Sequence, residues 1–565
     1  MTINSSLKSP ARNLPDTENN TSAKVTILAI TGIMMLMVTS FSGCIIDLDD
    51  DERDPDEFIY YSASPPKTLD PAVAYDEVSI GIINNLYERL VTYKSQSSSD
   101  IVPMLAKNTV VEDDRTYIFH LRDDIKFSTG RVVDADAVNY SISRVLTMDQ
   151  SPSWMLSDIL NRSGIKQGDF DHDGVDDIKF VLEKPYSAFD HILAFSLCSI
   201  VDPEKVDAHG GVQAGQTNTW MAQNSAGSGP YMVDEWNDNG NKVCLKRNSH
   251  YHKGWGGDHF DKIEFKYVEN ELERLDAIQD KDEGADRADI PISLLDNLSG
   301  VTSVNIDDSR DTMSVVFLGF NTDMAPFDNR DVRTAFAYSF DYNTMLNNIL
   351  RKKYGERLHG PIPEGVLGYE PNLENRYYWD SEIALQHFEN AGYTIEEGYV
   401  TDFENITFYV PSNASVSGQI MYLLKDNLAD IGIHVSILFK NMLEYNQAVQ
   451  NGEYPVFLAG WSADYADPDD FVYPLLHSES KNASISNLAR YYNASIDELI
   501  EEGKTILSPD DRTVLYRDIQ NAVNDEVPYI WLYQPKHIAV LKSDIAGYNF
   551  HPIVGTNYYE MSIVE

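Results

Sequence analysis

Strand-like and helix-like stretches alternate along this chain from Phe58 onward, and that alternation restricts it to α/β lobes in which helices cover sheets. Residues 58–61 read as a first strand, followed by the turn-rich Ser64-Pro-Pro-Lys-Thr-Leu-Asp-Pro71 and by apolar residues at helical spacing over 78–91. Residues 117–121 alternate like a strand, Asp134 and Asp136 open a helix reaching about 146, and 179–182 form a strand that Lys184-Pro185-Tyr186 ends. Strands are further expected at 315–320, 409–410, 435–439 and 456–461, with helices at 329–340 (capped by Asp328), 417–431 and 442–451. No repeat of solenoid length recurs. A chain of 565 residues holds more than one domain, and 42% hydrophobic with 11% aromatic residues is ample for folded cores. The formal charge of −45 excludes a nucleic-acid binder, which needs a basic face. It fits a solvated surface in salty or extracellular conditions.

Lys8, Arg12 and Lys24 flank an apolar run over 25–41, which reads as a secretory signal peptide covering residues 1–43. The run ends in Ser42-Gly43-Cys44, small residues before a cysteine, which resembles a lipobox; Phe41 stands where that pattern has an aliphatic residue. Cys44 would then be lipidated, followed by an acidic tether over 44–57. An uncleaved membrane anchor is the competing reading. Either way the body is expected outside the cytoplasm and tethered. Cys198 and Cys244 both lie in strand-like segments, and pairing or two separate buried thiols both stay open. Asn405, Asn413, Asn482 and Asn493 begin glycosylation-type triplets.

The stretch Gly460-Trp-Ser-Ala-Asp464-Tyr-Ala-Asp467-Pro-Asp-Asp470 carries four acids. Asp467 suits a helix cap, Pro468 a first turn, and Asp469 and Asp470 the positive end of the helix dipole. Asp464 has no such task, and it follows a strand end, where α/β folds place ligands.

These residues join an ordered set. Thr68-Leu-Asp-Pro71, Leu86-Tyr-Glu-Arg-Leu-Val91, Pro103-Met-Leu-Ala106 and Thr129-Gly-Arg-Val-Val-Asp-Ala-Asp-Ala-Val138 come first. Ser228-Gly-Pro-Tyr231, Gly319-Phe-Asn-Thr322, Pro326-Phe-Asp-Asn-Arg-Asp-Val-Arg333, Gly460-Trp461 and Val527-Pro528 follow. The set resembles the extracytoplasmic solute-binding proteins of peptide-type ABC transporters, family 5, over nearly all of the chain after Phe58. The resemblance implies a two-lobed periplasmic-binding-protein-like α/β fold with a hinge. Lobe I would comprise 58–312 plus 534–565, with an extra subdomain inserted at about 85–185, and lobe II would comprise 313–533. It implies a monomeric, lipid-anchored receptor on the outer face of the cytoplasmic membrane, delivering dipeptides or oligopeptides to ABC permease and ATPase subunits. By the same resemblance Asp464 would pair with the peptide α-ammonium group and Gly460 and Ser462 would bond its backbone. Trp461 and Tyr465 would wall the pocket, and Trp531, Tyr533 and Asn321 would approach the cleft. No cation for the peptide carboxylate is identified; Arg357 and His359 are candidates by position.

Three other chemistries compete with peptide binding. Asp169-Phe-Asp171-His-Asp173-Gly-Val-Asp-Asp177 spaces its acids like a calcium loop, but Phe180 replaces the final bidentate Glu; a structural Ca²⁺ or a solvated acidic turn both fit, and no other cofactor is required. His250, His252, Asp258 and His259 cluster in sequence, as a metal site would, on what the resemblance makes a surface loop. No Gly-X-Ser-X-Gly or His-Glu-X-X-His occurs, so an enzyme is not expected. The alternatives kept are the same fold binding an oligosaccharide or a nickel or other metal chelate, and an exported hydrolase or sensory receptor.

Overall fold

The computed structural model describes residues 54–564 apart from 96, 98, 238–239, 281–283, 375, 413–414 and 483–486. The expected leader, Cys44 and most of the acidic tether therefore lie outside the described residues, as does Asn413. Among the described residues no helix is long and apolar enough to cross a membrane.

Two major sheets organise the molecule. The first has seven strands in the order Val304–Asp307, Ala539–Lys542, Arg287–Ala288, Glu57–Ser62, Lys262–Tyr267, Lys242–Arg247 and Tyr231–Trp236. Its centre is parallel: Glu57–Ser62 runs alongside both Lys262–Tyr267 and Arg287–Ala288. Phe58, Ile82, Ile83, Tyr87 and Ile263 meet in its core. The second sheet has four antiparallel strands in the order Gly355–Arg357, Tyr529–Pro535, Ser314–Phe320 and Val456–Ser462. Its core gathers Phe320, Phe327, Phe336 and Phe388. The chain passes from the first sheet to the second after Asp307 and returns after Pro535. A separate four-stranded sheet holds Ala106–Asp113, Thr116–Leu121, Asp177–Val181 and Ile165–Gly168.

Local chemistry explains the helix starts. Asp76, Asp134 and Asn441 accept backbone N–H bonds from the first turns they cap. The helix expected after Asp328 is capped one residue later, by Asn329, whose side chain accepts from Asp331 N. The helical pattern over 78–91 covers two elements. The helix Glu77–Leu86 stops where Tyr87 turns extended, and Val91–Tyr93 is a strand. The helix placed at 417–431 runs Ser415–Ala429. Cys198 sits in a 3₁₀ turn and not in a strand; it and Cys244 are both buried free thiols.

One close approach fixes the junction of helix and first sheet. Gly229 N donates to Leu86 O at 3.1 Å, and a Cβ on Gly229 would stand 2.6 Å from the Leu86 carbonyl carbon. Gly229→Ala must push backbone away from backbone. It is expected to cost about 1–3 kcal/mol, read as a lower urea midpoint.

Candidate functional site

Strand Val456–Ser462 lies at the edge of the second sheet, pairing Gly460 with Val316 and Ser462 with Ser314. Beyond it the chain turns sharply into helix Asp469–Leu476. Asp467 Oδ1 accepts from Asp469 N at 2.9 Å, but the cap position itself is held by Pro468 without a side-chain bond, so Asp467 stands one residue outside the expected cap. Asp467 also receives both terminal nitrogens of Arg512, at 2.6 and 2.7 Å, in a buried bidentate pair. Asp469, 1% exposed, accepts from Tyr186 and Tyr465 hydroxyls at 2.5 and 3.1 Å. Asp470 Oδ2 accepts from the N–H of Asp464 at 2.8 Å.

That turn delivers Asp464 to a cavity of about 680 Å³ between the two major sheets. The second sheet contributes Val316, Gly460, Trp461 and Ser462 to its wall, and the turn beyond it contributes Asp464. Helix Glu77–Leu86 and the loop before it contribute Tyr75, Asp76, Glu77 and Gly81, and the C-terminal segment adds Phe550 and Ile553. Asp464 is only 7% exposed, and its Oδ2 accepts from the Tyr75 hydroxyl at 2.6 Å. Burial pushes its carboxyl up to about 7, partly opposed by the Tyr75 hydrogen bond. No cation pairs with it among the described residues: the cavity lining offers three acids, Asp76, Glu77 and Asp464, and one base, Lys67. A carboxylate so placed is short of a positive partner.

Of the sequence candidates, Asp464, Trp461, Gly460 and Ser462 come together on the cavity wall. The other four do not line it. Tyr465 is fully buried behind the turn, its hydroxyl given to Asp469, which makes it a strut for the loop and not a wall. Trp531 and Tyr533 belong to an inner strand buried on both faces, and Trp531 packs against Phe317 and Tyr529. Asn321 closes a turn, donating to Gly452 O and accepting from Asp323 N. Arg357 is also spent: its guanidinium stacks 3.9 Å over the Tyr342 ring and donates to the carbonyls of Trp531 and Leu532. Reading along the sequence missed Tyr75, which lies 389 residues from Asp464 and carries no motif.

The acidic loop is partly committed to the protein. Donor atoms of Asp169, Asp171 and Asp173 lie within 4.8 Å of one another, as do those of His120, Asp171 and Asp177. Asp173 pairs with Lys107 at 2.5 Å, and Asp177 is taken up by His120 and the N–H groups of Leu121 and Phe170. Asp169 Oδ1 is buried without a hydrogen-bond partner, whereas Asp171 accepts from Asp173 N at 3.2 Å and stands 3.3 Å from His120 Nδ1. The histidine segment does not assemble: His252 pairs with Glu88 at 2.9 Å and His259 bonds Tyr559 O at 2.8 Å, each a separate structural contact.

Two mixed α/β lobes with a ligand-sized cavity between them are the architecture of a two-lobed binding protein. The chain belongs to the bacterial extracellular solute-binding proteins, family 5, which match residues 100–483. This places it among solute-binding proteins and not among hydrolases. It is 28% identical over 504 residues to the probable D,D-dipeptide-binding periplasmic protein DdpA of Escherichia coli, covering 88% of this chain and 92% of that one. It is 27% identical over 534 residues to heme-binding protein A of Haemophilus influenzae, covering 90% and 92%. Among solved structures, the oligopeptide-binding protein AppA of Bacillus subtilis, in complex with a nonapeptide, superposes with a TM-score of 0.74 at 20% identity. It covers 91% of this chain and all of that one.

Proposed function

We propose that the protein captures peptides between its lobes and presents them to the permease and ATPase subunits of an ABC importer, with Asp464 as the anchor for the peptide α-ammonium group. The observation that carries this reading is the Asp464 carboxylate, buried on the wall of the cavity with only a neutral hydroxyl to meet it. Beside it the edge strand Val456–Ser462 offers its backbone to an extended ligand, a mode that gives affinity independent of side chains. The relatives named for peptides support the same cargo. A metal chelate or haem is less well matched, because no histidine or cysteine occurs among the cavity-lining residues.

In this reading lobe I spans 58–312 and 534–565, with a subdomain at about 85–185, and lobe II spans 313–533. The two crossings between the sheets serve as the hinge. Cargo touching both lobes stabilises the closed form, and only that differential affinity drives closure. The receptor acts as a monomer, held by lipidated Cys44 at the outer face of the cytoplasmic membrane.

Calorimetry with a tripeptide and its N-acetylated form tests the anchor. Acetylation removes the charge and leaves Asp464 buried without a cation, so affinity is expected to fall about 100-fold, or roughly 3 kcal/mol. Equal binding of the two forms would remove Asp464 from this role.

A further inference from the structure

Three acids and one base line the cavity, Asp76, Glu77 and Asp464 against Lys67. Asp464 is the proposed amine anchor. Asp76 accepts the N–H of Ser79 at 3.0 Å and so caps helix Glu77–Leu86. Glu77 has no comparable task. It stands at the first position of that helix, where a negative charge suits the dipole. A side chain turned to bulk solvent would serve the dipole equally well, whereas this one lines the cavity. It comes from the side of the first sheet, and Asp464 comes from the turn beyond the second. Glu77 is open to solvent and yet lies among enough protein that burial lifts its carboxyl above the ordinary value. The charge of Asp289 adds to that rise and Arg287 opposes it. Arg287 is committed elsewhere: its guanidinium lies 4.3 Å from the centroid of the Tyr60 ring and donates to Thr556 Oγ1 at 3.3 Å. Among the described residues Glu77 forms no ion pair.

Resting on the reading of the cavity as a peptide site, we propose that it selects peptides carrying a lysine or arginine side chain, with Glu77 as the residue that receives this second positive charge. Three acids against one base leave two negative charges in excess. A peptide with uncharged side chains is a zwitterion; its ammonium and carboxylate cancel, and the excess stays. A basic side chain reduces the excess, inside a cleft where solvent screens charge less than at an open surface. Glu77 thereby sets specificity and not the basic ability to hold a peptide, which belongs to Asp464 and the edge strand. The rest of the chain has the same sign, with a formal charge of −45, and draws cationic cargo towards the cleft.

The test is calorimetry at pH 7.5 with alanine tripeptides in which one position carries lysine or, in its place, uncharged norleucine, each position taken in turn. Norleucine keeps the aliphatic stem, so the comparison isolates the charge. Lysine is expected to bind about 30-fold more tightly than norleucine in at least one position. Glu77→Gln keeps the length of the side chain and removes its charge. It should cut that preference to about threefold or less, with Glu77→Ser as a second variant should the first fail to fold. Equal affinity for lysine and norleucine at every position overturns the selection of cationic cargo and leaves the peptide reading in place. An undiminished lysine preference in a folded Glu77 variant overturns the role of Glu77. Binding of none of these tripeptides overturns the peptide reading itself, and this proposal with it.

Discussion

Asp464→Asn is expected to abolish amine-dependent peptide binding while making the empty protein more stable at pH 8. The wild-type carboxyl, with its ordinary value of 3.8 raised to about 7 by burial, favours the folded state only while protonated. A folded value above the unfolded one means that the native state binds more protons. Stability from this group is full below about pH 4 and is lost as pH rises through about 7. The displacement corresponds to a cost on the order of 4 kcal/mol above pH 7. Asparagine fills the same space, keeps an acceptor for the Tyr75 hydroxyl and carries no charge to bury. Thermal unfolding of the unliganded variant should therefore begin several degrees above wild type at pH 8, and close to wild type at about pH 4. A saturating peptide should raise the melting temperature of the wild type and leave the variant unmoved. A variant less stable than wild type at pH 8 would mean that Asp464 is a structural residue whose charge is already balanced.

The second large effect concerns the support of that residue. Arg512→Met should destabilise the protein by about 3–5 kcal/mol, because it strands Asp467 as a buried, unpaired carboxylate beside Asp469. Asp467 also accepts the first N–H of the helix that carries Asp470, so peptide affinity should fall along with stability. Asp467→Asn combined with Arg512→Met removes both charges and is expected to recover most of the lost stability. The non-additivity, measured by urea unfolding of the four proteins, gives the strength of the pair. Additive losses would show that the two side chains act independently.

Much of this architecture could be read from residue patterns, since strand and helix periodicities are local. The strands near 315–320 and 456–461 were placed to within a residue or two of Ser314–Phe320 and Val456–Ser462, because apolar runs bounded by turn residues have one economical conformation. What escaped was whatever depends on distant packing. The aromatic run at 529–533 suits a ligand pocket and a doubly covered strand equally well, and the strands on either side of it decide for the latter. Asp467, Asp469 and Asp470 looked alike as helix-start acids, yet their partners differ entirely: an arginine on a later helix, two tyrosines, and a backbone amide. Only the folded turn separates those roles. Tyr75 shows the limit most plainly, since nothing near it in the chain announces a carboxylate drawn from the other sheet.

The seven-stranded sheet has a consequence for how the chain is made. Its strand Ala539–Lys542 lies between Arg287–Ala288 and Val304–Asp307, bonded to both. A nascent chain that has emerged as far as residue 500 still lacks the piece that joins those two strands, however much else has collapsed. The first sheet cannot be completed before residues 539–542 have been made, however early its other strands appear. The polypeptide thus remains threadable until that strand appears, a built-in delay that comes from strand order alone.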